Sequence, residues 1–374
     1  MVETHETRHI QSKEKEGVVI KMSEFVVHIE QNDVQIKIDH NILRVQPHGD
    51  DSKAIPIGMI GQIVIYSRTN ISTSILAELV KRGISVVIIG GFGREQVPAW
   101  LGPGLSSAVM TRLSQFQAFS DPQLKLKTAA FLVEKKISQQ RSLMTFLWRL
   151  IHNEPTDHIF NTRLRKSDLI KKVENASQIM TSSLDVISTC ETIDRIRGYE
   201  GNASSAWFSF LADVLPGKWQ FKGRNRQPPK DPINALLSLT YTLALAECKM
   251  VINERGLDPC IGFLHSPVPG RESFAIDLVE LLRSGADAFV ISLLDNRMFD
   301  EKEFSTSKEH GCRLNRDARG KYYACWADWR TQWPVWQDDA VDQQEDDDEV
   351  NEKHIRTCVR SIIDQIVEVW PTCQ

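Results

Sequence analysis

Residues 273–285 read SFAIDLVELLRSG, and this stretch decides how the second half of the chain folds. Its apolar side chains fall on nearly every side of a helix; they are Phe274, Ile276, Leu278, Val279, Leu281 and Leu282. A helix that is apolar all round is normally buried inside a protein. The stretch therefore predicts a buried helix that also carries two acids, Asp277 and Glu280.

The two acids of this helix are its most informative feature. Asp277 and Glu280 are three residues apart, so they lie on one face, a turn from each other. A buried carboxylate must be paired, protonated or bound to a metal ion. Two interpretations stay open: a salt bridge to Arg283 or another arginine, and a metal site.

A histidine precedes the helix by eight residues. His265 lies in CIGFLHSPVPGRES, where prolines and glycine favour a loop that could turn His265 towards Asp277 and Glu280. One imidazole with one or two carboxylates suits Mg²⁺ or Mn²⁺ better than structural zinc. The alternative is a histidine whose hydrogen bonds are satisfied within the core.

A third candidate ligand is Glu200, in DRIRGYEGNASSAWFSFLADVL. Small residues surround it, and small neighbours let another backbone or a phosphate come close. Asp194 and Arg197 are spaced for an ion pair, whereas Glu200 has no equally obvious local partner. The alternative is a surface or ion-paired glutamate.

A basic stretch, residues 218–230, follows this segment. Its five bases are Lys218, Lys222, Arg224, Arg226 and Lys230, interleaved with Trp219 and Phe221. Basic residues neutralise phosphates and aromatic rings can stack on unpaired bases. Arg195 and Arg197 add positive charge near Glu200. The pattern predicts contacts to nucleic acid; a solvated surface loop is the alternative.

The net charge of −4 argues against a nucleic-acid partner only until its distribution is considered. Residues 338–349 (DDAVDQQEDDDE) carry eight acids and no base, whereas residues 106–337 sum to +5. Such an acidic run is typical of a solvated loop. It could also compete with an anion for the basic region.

The rest of the chain predicts a small β-rich domain and a larger helical one. Strands are expected at 26–29, 34–38, 63–65 and 84–89, and a short helix at 73–81, capped by Ser72 or Thr73. The helix- and strand-breaking residues Pro98, Gly102, Pro103 and Gly104 predict a domain boundary near Gly104. We expect a flexible leader (1–16), a β-domain (17–104) and an all-α catalytic domain (105–374), which is an α+β fold class.

Composition favours a cytoplasmic protein. The seven cysteines include no CxxC pair, which is typical of a reduced compartment. The first residues have no apolar core, and no apolar stretch reaches the ~18 residues needed to span a bilayer. We expect no membrane partner.

Taken together, several segments closely resemble the CRISPR-associated integrase and endonuclease family that acts in spacer acquisition. They extend from about Ile55 to about Trp329; the most specific are RGYEGNASSAWF, RQPPKDPINALLSLTYTLA, GFLHSPVPGRESFAIDLVE and RSGADAFVI, in that order. The resemblance implies an N-terminal β-domain, which forms a homodimer contact, and a C-terminal α-domain.

The resemblance also implies a metal site and a reaction. Its metal ligands fall on Glu200, His265 and Glu280, with Asp277 as a supporting acid and Mg²⁺ or Mn²⁺ as the cofactor. The implied reaction joins prespacer DNA to a CRISPR repeat by attack of a 3′-hydroxyl; endonucleolytic cleavage uses the same site. The implied partners are double-stranded DNA and a small ferredoxin-like adaptation subunit.

Two other functions are considered. One is a noncatalytic DNA-binding scaffold, which the intact site residues disfavour. The other is a hydrolase of small phosphoesters, which the basic stretch disfavours.

The leader (1–16) and the acidic run (338–349) depart from the pattern of the family. We expect the acidic run to weaken nonspecific DNA binding or to contact the partner subunit.

Overall fold

In the computed structural model of the chain, two compact units are formed. The described residues are 25–47, 52–89, 98–104, 106–153, 166–226, 228–309, 311–335 and 351–371. The first unit contains residues up to Pro103 together with Asn315–Gln332, and the second contains Gly104–Leu314 and Trp333–Gln374. The predicted leader 1–16 and acidic loop 338–349 lie outside the described residues.

The first unit is built on two sheets. Its elements are β1 (Phe25–Ile29), β2 (Gln35–Asp39), β3 (Ile42–Gln46), β4 (Lys53–Pro56), β5 (Ile60–Ile65), α1 (Thr73–Lys81), β6 (Ser85–Ile88) and β7 (Ala99–Leu101). One sheet has the order β1-β5-β6-β7, with β7 antiparallel to its neighbour and the other pairs parallel. The other is the antiparallel meander β2-β3-β4.

The core of this unit follows the predicted patterns. Alternating residues of the meander, such as Ile36, Leu43 and Val45, are buried with the β-branched residues of β1, β5 and β6. The Ser72 hydroxyl accepts a hydrogen bond from the backbone N–H of Ile75, so Ser72 caps α1. The predicted strands and helix of this region are confirmed.

A helix from far along the chain also belongs to the first unit. This is α8 (Arg316–Thr331). Its Tyr323 hydroxyl donates to that of Tyr66 at 2.6 Å, and its Trp326 indole N–H donates to Gln62 at 3.3 Å. The sequence alone predicts one domain over 105–374, and this boundary is wrong for α8. Helix α8 belongs to the first unit because it is hydrogen-bonded to Gln62 in β5 and to Tyr66 just after β5.

The second unit is mostly helical. Its elements are α2 (Val109–Ser120), α3 (Pro122–Asn153), α4 (Lys166–Ile187), α5 (Ile193–Val214), α6 (Pro232–Glu254), α7 (Ser273–Asp295), β8 (Phe304–Ser307), β9 (Gly311–Leu314), β10 (Trp333–Val335), β11 (Asn351–Lys353) and α9 (Ile355–Val367). The long α3 packs against α4, α5 and α7, and α6 packs against α7. Apart from two antiparallel strand pairs, β8-β9 and β10-β11, the predicted fold class of a β-rich region followed by a helical one is confirmed.

The two helices predicted most clearly form as expected. Helix α7 is buried almost throughout, including Asp277 and Glu280. Helix α6 begins with Pro232, and the Asp231 carboxylate accepts from the backbone N–H of Asn234 at 2.9 Å. The sequence predicts this cap and first position, and the period of the apolar residues of the helix predicts a buried face. Both predictions are confirmed, and the buried face contains Ile233, Leu236, Leu237, Thr240, Leu243 and Ala244.

The sequence predicts that no apolar stretch is long enough to span a bilayer, but helix α6 meets that criterion by length and composition. Among the described residues, it is the one helix that is long and apolar enough to cross a membrane. However, 67% of its apolar stretch is buried inside the protein. Its apolar character is explained by packing within the second unit, so this helix gives weak support for a membrane span.

The loop before α7 is held against the start of that helix through a glycine. A Cβ atom on Gly262 would lie 2.6 Å from the carbonyl oxygen of His265 and 2.7 Å from the backbone of Ser273. Since these are backbone atoms, neither can rotate away. The close approach of the loop to α7 therefore requires glycine at this position.

We predict that Gly262→Ala lowers the free energy of unfolding by about 1–3 kcal/mol, the usual cost of overpacking. Chemical denaturation measures this change. The matched control is Gly198→Ala in α5, where an added Cβ meets no atom within 4 Å. The control should gain about 0.5–1 kcal/mol, the helical advantage of alanine over glycine. Equal loss of stability in both variants would contradict the role given to Gly262.

Candidate active site

Three helices of the second unit bring two carboxylates to one buried ammonium group. Lys136 on α3 donates from Nζ to Oε1 of Glu200 on α5 and, at 2.6 Å, to Oε2 of Glu280 on α7. The Lys136 side chain is 1% exposed and that of Glu280 is 5% exposed. Glu200 and Glu280 are thus brought together as the sequence predicts, with a cation between them.

Glu280 also pairs with an arginine on its own helix. Arg283 Nη2 lies 2.8 Å from Oε1 of Glu280. Burial raises the pKa of Glu280, but the positive charges of Lys136 and Arg283 outweigh it and bring the pKa to about 2. The carboxylate is therefore ionised near neutral pH. The salt bridge to Arg283, which the sequence leaves as an alternative, does form.

The side chain of Glu200 is 22% exposed. Besides Lys136, its Oε1 accepts from the Ser204 hydroxyl at 2.9 Å. A Cβ atom on Gly198 or Gly201 would meet nothing within 4 Å. These glycines do not share a helix face with Glu200, so this open space adjoins α5 on other sides. The partner of Glu200, Lys136, is 64 positions earlier in the chain, so the sequence around Glu200 does not reveal this ion pair.

The histidine is held by the second acid of α7. Nδ1 of His265 lies 2.6 Å from Oδ1 of Asp277, which is fully buried. The same carboxylate accepts the backbone N–H groups of Phe263, Leu264 and His265 at 2.7–3.0 Å. Burial raises the pKa of Asp277, while these bonds oppose the shift. With Nδ1 directed at a carboxylate, Nε2 is the ring nitrogen left to bind a ligand.

Arg197 fixes the same loop from α5. Its guanidinium donates to the carbonyl oxygen of Leu264 at 2.9 Å and to the Ser266 hydroxyl at 3.1 Å. It also forms the predicted ion pair with Asp194, at 2.9 Å. The Arg197 side chain is still 38% exposed, so its predicted contact to DNA stays a prediction. Its contribution is to position the His265 loop, whereas the neighbouring Arg195 is exposed.

These side chains form one electrostatic cluster. His265 is among the charges that lower the pKa of Glu280, and Glu200 among those that raise the pKa of Arg283. Within the described part of the chain, no three His, Cys, Asp or Glu side chains converge as a ready metal cage. Instead, Lys136 supplies the cation between the carboxylates. Two carboxylates and an imidazole fit Mg²⁺ or Mn²⁺ by donor chemistry, and the ammonium marks a position that accepts positive charge.

A buried acid beside this cluster is not identified by the sequence interpretation. Asp287 on α7 is fully buried; it accepts from the Trp207 indole at 2.7 Å and from the Tyr241 hydroxyl. Burial raises its pKa to about 6 in spite of these bonds. The Tyr241 ring lies 5.1 Å from the Arg283 guanidinium and 5.3 Å from that of Arg224. This ring therefore connects the basic stretch to the arginine that pairs with Glu280.

The basic stretch divides into exposed and inward-facing groups. Four of its bases are exposed: Lys218, Lys222, Arg226 and Lys230. Arg224 instead donates to Asn234 at 2.9 Å and to Ser238 at 3.1 Å on α6. Only Nη1 and Nη2 of Arg224 donate within the protein, and its Nε is buried without a partner among the described residues. The DNA contact of Arg224 stays a prediction.

The predicted stacking of bases on the aromatics of this stretch is wrong. Trp219 is 1% and Phe221 7% exposed. The Trp219 ring packs edge-on against Phe304, with ring centroids 6.2 Å apart. Both aromatics anchor the stretch to the second unit, because burying large apolar rings stabilises the fold. Its four exposed cations remain able to bind an anionic partner.

The sequence of the chain matches a known protein family over most of its length. The family model described as CRISPR associated protein Cas1 matches residues 27–328. A protein named CRISPR-associated endonuclease Cas1 1, from Thermodesulfovibrio yellowstonii, is 33% identical over 313 residues, which cover 83% of this chain and 93% of that protein.

Two solved structures share the fold. A casposase bound to integration product superposes with a TM-score of 0.72 at 20% identity, over 92% of this chain and 90% of that chain. A chain of a Cas6-RT-Cas1–Cas2 complex superposes with a TM-score of 0.67 at 17% identity, over 95% of this chain and 36% of that chain. At these identities the likeness shows the fold. The family match over most of the chain and the 33% identical relative together show that the chain belongs to the CRISPR-associated Cas1 family.

Proposed function

We propose that this protein is a metal-dependent DNA endonuclease and integrase of CRISPR adaptation, which joins new spacer DNA to a repeat by attack of a 3′-hydroxyl. The observation that carries the proposal is the meeting of Glu200 and Glu280 at one buried cation, on the same cluster as His265. The name of the 33% identical relative, an endonuclease, and the casposase bound to integration product support the same class of reaction.

The residues have separable roles in this proposal. Glu200, Glu280 and His265 Nε2 hold Mg²⁺ or Mn²⁺, which when bound stabilises charge on phosphoryl oxygens. Asp277 orients the imidazole and selects Nε2 for the ligand. Arg197 keeps the His265 loop in place through Leu264 and Ser266. The Glu200 side chain is 22% exposed, which leaves the carboxylate accessible to the DNA backbone.

The substrate and partners are proposed on the same basis. Double-stranded DNA, as prespacer and repeat, binds through Lys218, Lys222, Arg226, Lys230 and Arg195. We further propose a homodimer formed through the β-rich unit, and a small ferredoxin-like subunit as the adaptation partner; the Cas1–Cas2 complex with the same fold supports the second. The reaction takes place in the cytoplasm, where the free cysteines stay reduced.

We predict that Glu200→Ala and His265→Ala each lower strand transfer by more than about 100-fold, beyond the usual effect of changing a group next to a metal ligand. The assay joins a 3′-hydroxyl duplex to a supercoiled repeat plasmid, with and without Mn²⁺. The control is Asp185→Ala, which removes an exposed acid from α4. Strand transfer that persists in both site variants, or that needs no metal, would refute the assignment of the site. If the wild type itself shows no strand transfer with or without Mn²⁺, a noncatalytic DNA-binding scaffold is the better description.

We predict that Lys218→Ala, Lys222→Ala, Arg226→Ala and Lys230→Ala each reduce the salt dependence of DNA binding. For each phosphate that is no longer neutralised, the slope of log affinity against log salt should fall by about 0.9. Titration of a duplex at several salt concentrations measures the slope. The matched control is Lys171→Ala on α4, an exposed lysine outside the basic stretch. Slopes that stay unchanged in all four variants would contradict DNA binding by this stretch.

A further inference from the structure

The Lys136 ammonium lies where the carboxylates of Glu200 and Glu280 would hold a metal ion. Lysine is seldom fully buried unless it is paired. Here Lys136 is 1% exposed, and its Nζ donates to Glu200 and, at 2.6 Å, to Glu280. The cation of this cluster is thus provided by the chain itself.

The formal charges of the four residues in this bridge balance. Glu200 and Glu280 carry two negative charges, and Lys136 and Arg283 carry two positive ones. A divalent ion added to this set would leave two positive charges uncompensated at a largely buried position, which is unfavourable. Loading is therefore favoured if one of the resident cations leaves.

Geometry identifies Lys136 as the cation that leaves. The oxygens that face each other, Oε1 of Glu200 and Oε2 of Glu280, both bind its Nζ. Arg283 binds the other oxygen of Glu280, at 2.8 Å. A divalent ion held by Glu200 and Glu280 would compete with Lys136 for their oxygens, whereas Arg283 could keep its bond to Glu280.

An acceptor for the displaced group lies on the same helix. Gln140 is one turn beyond Lys136, so the two share a face of α3. Its side chain is fully buried, and neither its amide oxygen nor its nitrogen has a hydrogen-bond partner among the described residues. An unsatisfied buried amide is costly, and a new partner for its oxygen would relieve that cost.

We propose that Lys136 is a built-in competitor of the metal ion: it holds Glu200 and Glu280 together in the metal-free protein and is displaced when the divalent ion binds. Lys136 thereby sets the metal concentration at which the site loads. This inference rests on the proposed metal-dependent function and concerns a positioning residue, since Lys136 acts through the two carboxylates.

The test is calorimetric titration of the full chain with Mn²⁺. Lys136→Met, which removes the competing charge, should bind Mn²⁺ at least about 10-fold more tightly, the lower end of effects from groups around metal ligands. Lys136→Arg should bind it more weakly, because a guanidinium stays charged and can bond both carboxylates. Lys135→Met removes a charge from the adjacent position and should bind as the wild type does.

Thermal melting supplies a second readout that does not depend on activity. Without metal, Lys136→Met leaves Glu200 and Glu280 without their shared cation and should melt at a lower temperature than the wild type. Saturating Mn²⁺ should raise its melting temperature by more than that of the wild type. If Lys136→Met can be isolated only with Mn²⁺ present, that result agrees with the proposal, and the affinity of Lys136→Arg then decides.

The outcomes separate this inference from the proposed function. If Mn²⁺ binding is abolished by His265→Ala but is equal or weaker in Lys136→Met, the metal site stands and Lys136 is not a competitor. If no variant shows Mn²⁺ binding that depends on His265 and Glu280, the proposed function fails, and the role of Lys136 fails with it.

Discussion

A lysine ammonium with two carboxylates around it is the interaction on which the second unit depends. Glu280 lies in a helix whose surroundings are apolar, and an unpaired charge there would be costly. Lys136 and Arg283 offset that cost, and Lys136 also binds Glu200. Because the three residues of this bridge come from α3, α5 and α7, the bridge links these three helices at one point.

The His265 imidazole is positioned because a second buried acid, Asp277, also needs hydrogen-bond partners. Asp277 is buried on α7 and is satisfied by three backbone N–H groups and by His265. The buried Asp277 carboxylate thus fixes the conformation of the loop by accepting three of its backbone N–H groups. Gly262 allows the close approach, and Arg197 closes the loop from the other side. The position of His265 is therefore determined by the interior of the protein.

The sequence predicts much of the site because its signals are local. A helix that is apolar all round but carries Asp277 and Glu280, with His265 in the preceding loop, is visible within residues 265–285. The role of Lys136 is not visible there, since its partners are 64 and 144 positions away. A lysine three residues after the core residue Val133 is the available signal.

The errors have equally specific causes. Alternating bases and aromatics between 218 and 226 do not show which side chains face inward, and the structure buries Trp219 and Phe221 and turns Arg224 towards α6. Helix α8 joins the first unit through Tyr323 and Trp326, whose partners Tyr66 and Gln62 are 257 and 264 positions earlier. Partner choice at such separations depends on the tertiary fold, which local periodicity does not report.

Diffraction from crystals of the protein soaked in Mn²⁺, with data at the manganese absorption edge, would locate the ion and the lysine together. We predict one anomalous peak within bonding distance of oxygens of Glu200 and Glu280, with His265 Nε2 as a further ligand. We also predict that Lys136 Nζ moves away from both carboxylates. A structure saturated with Mn²⁺ in which Lys136 still joins Glu200 to Glu280, with no peak between them, would contradict both the metal site and the competition.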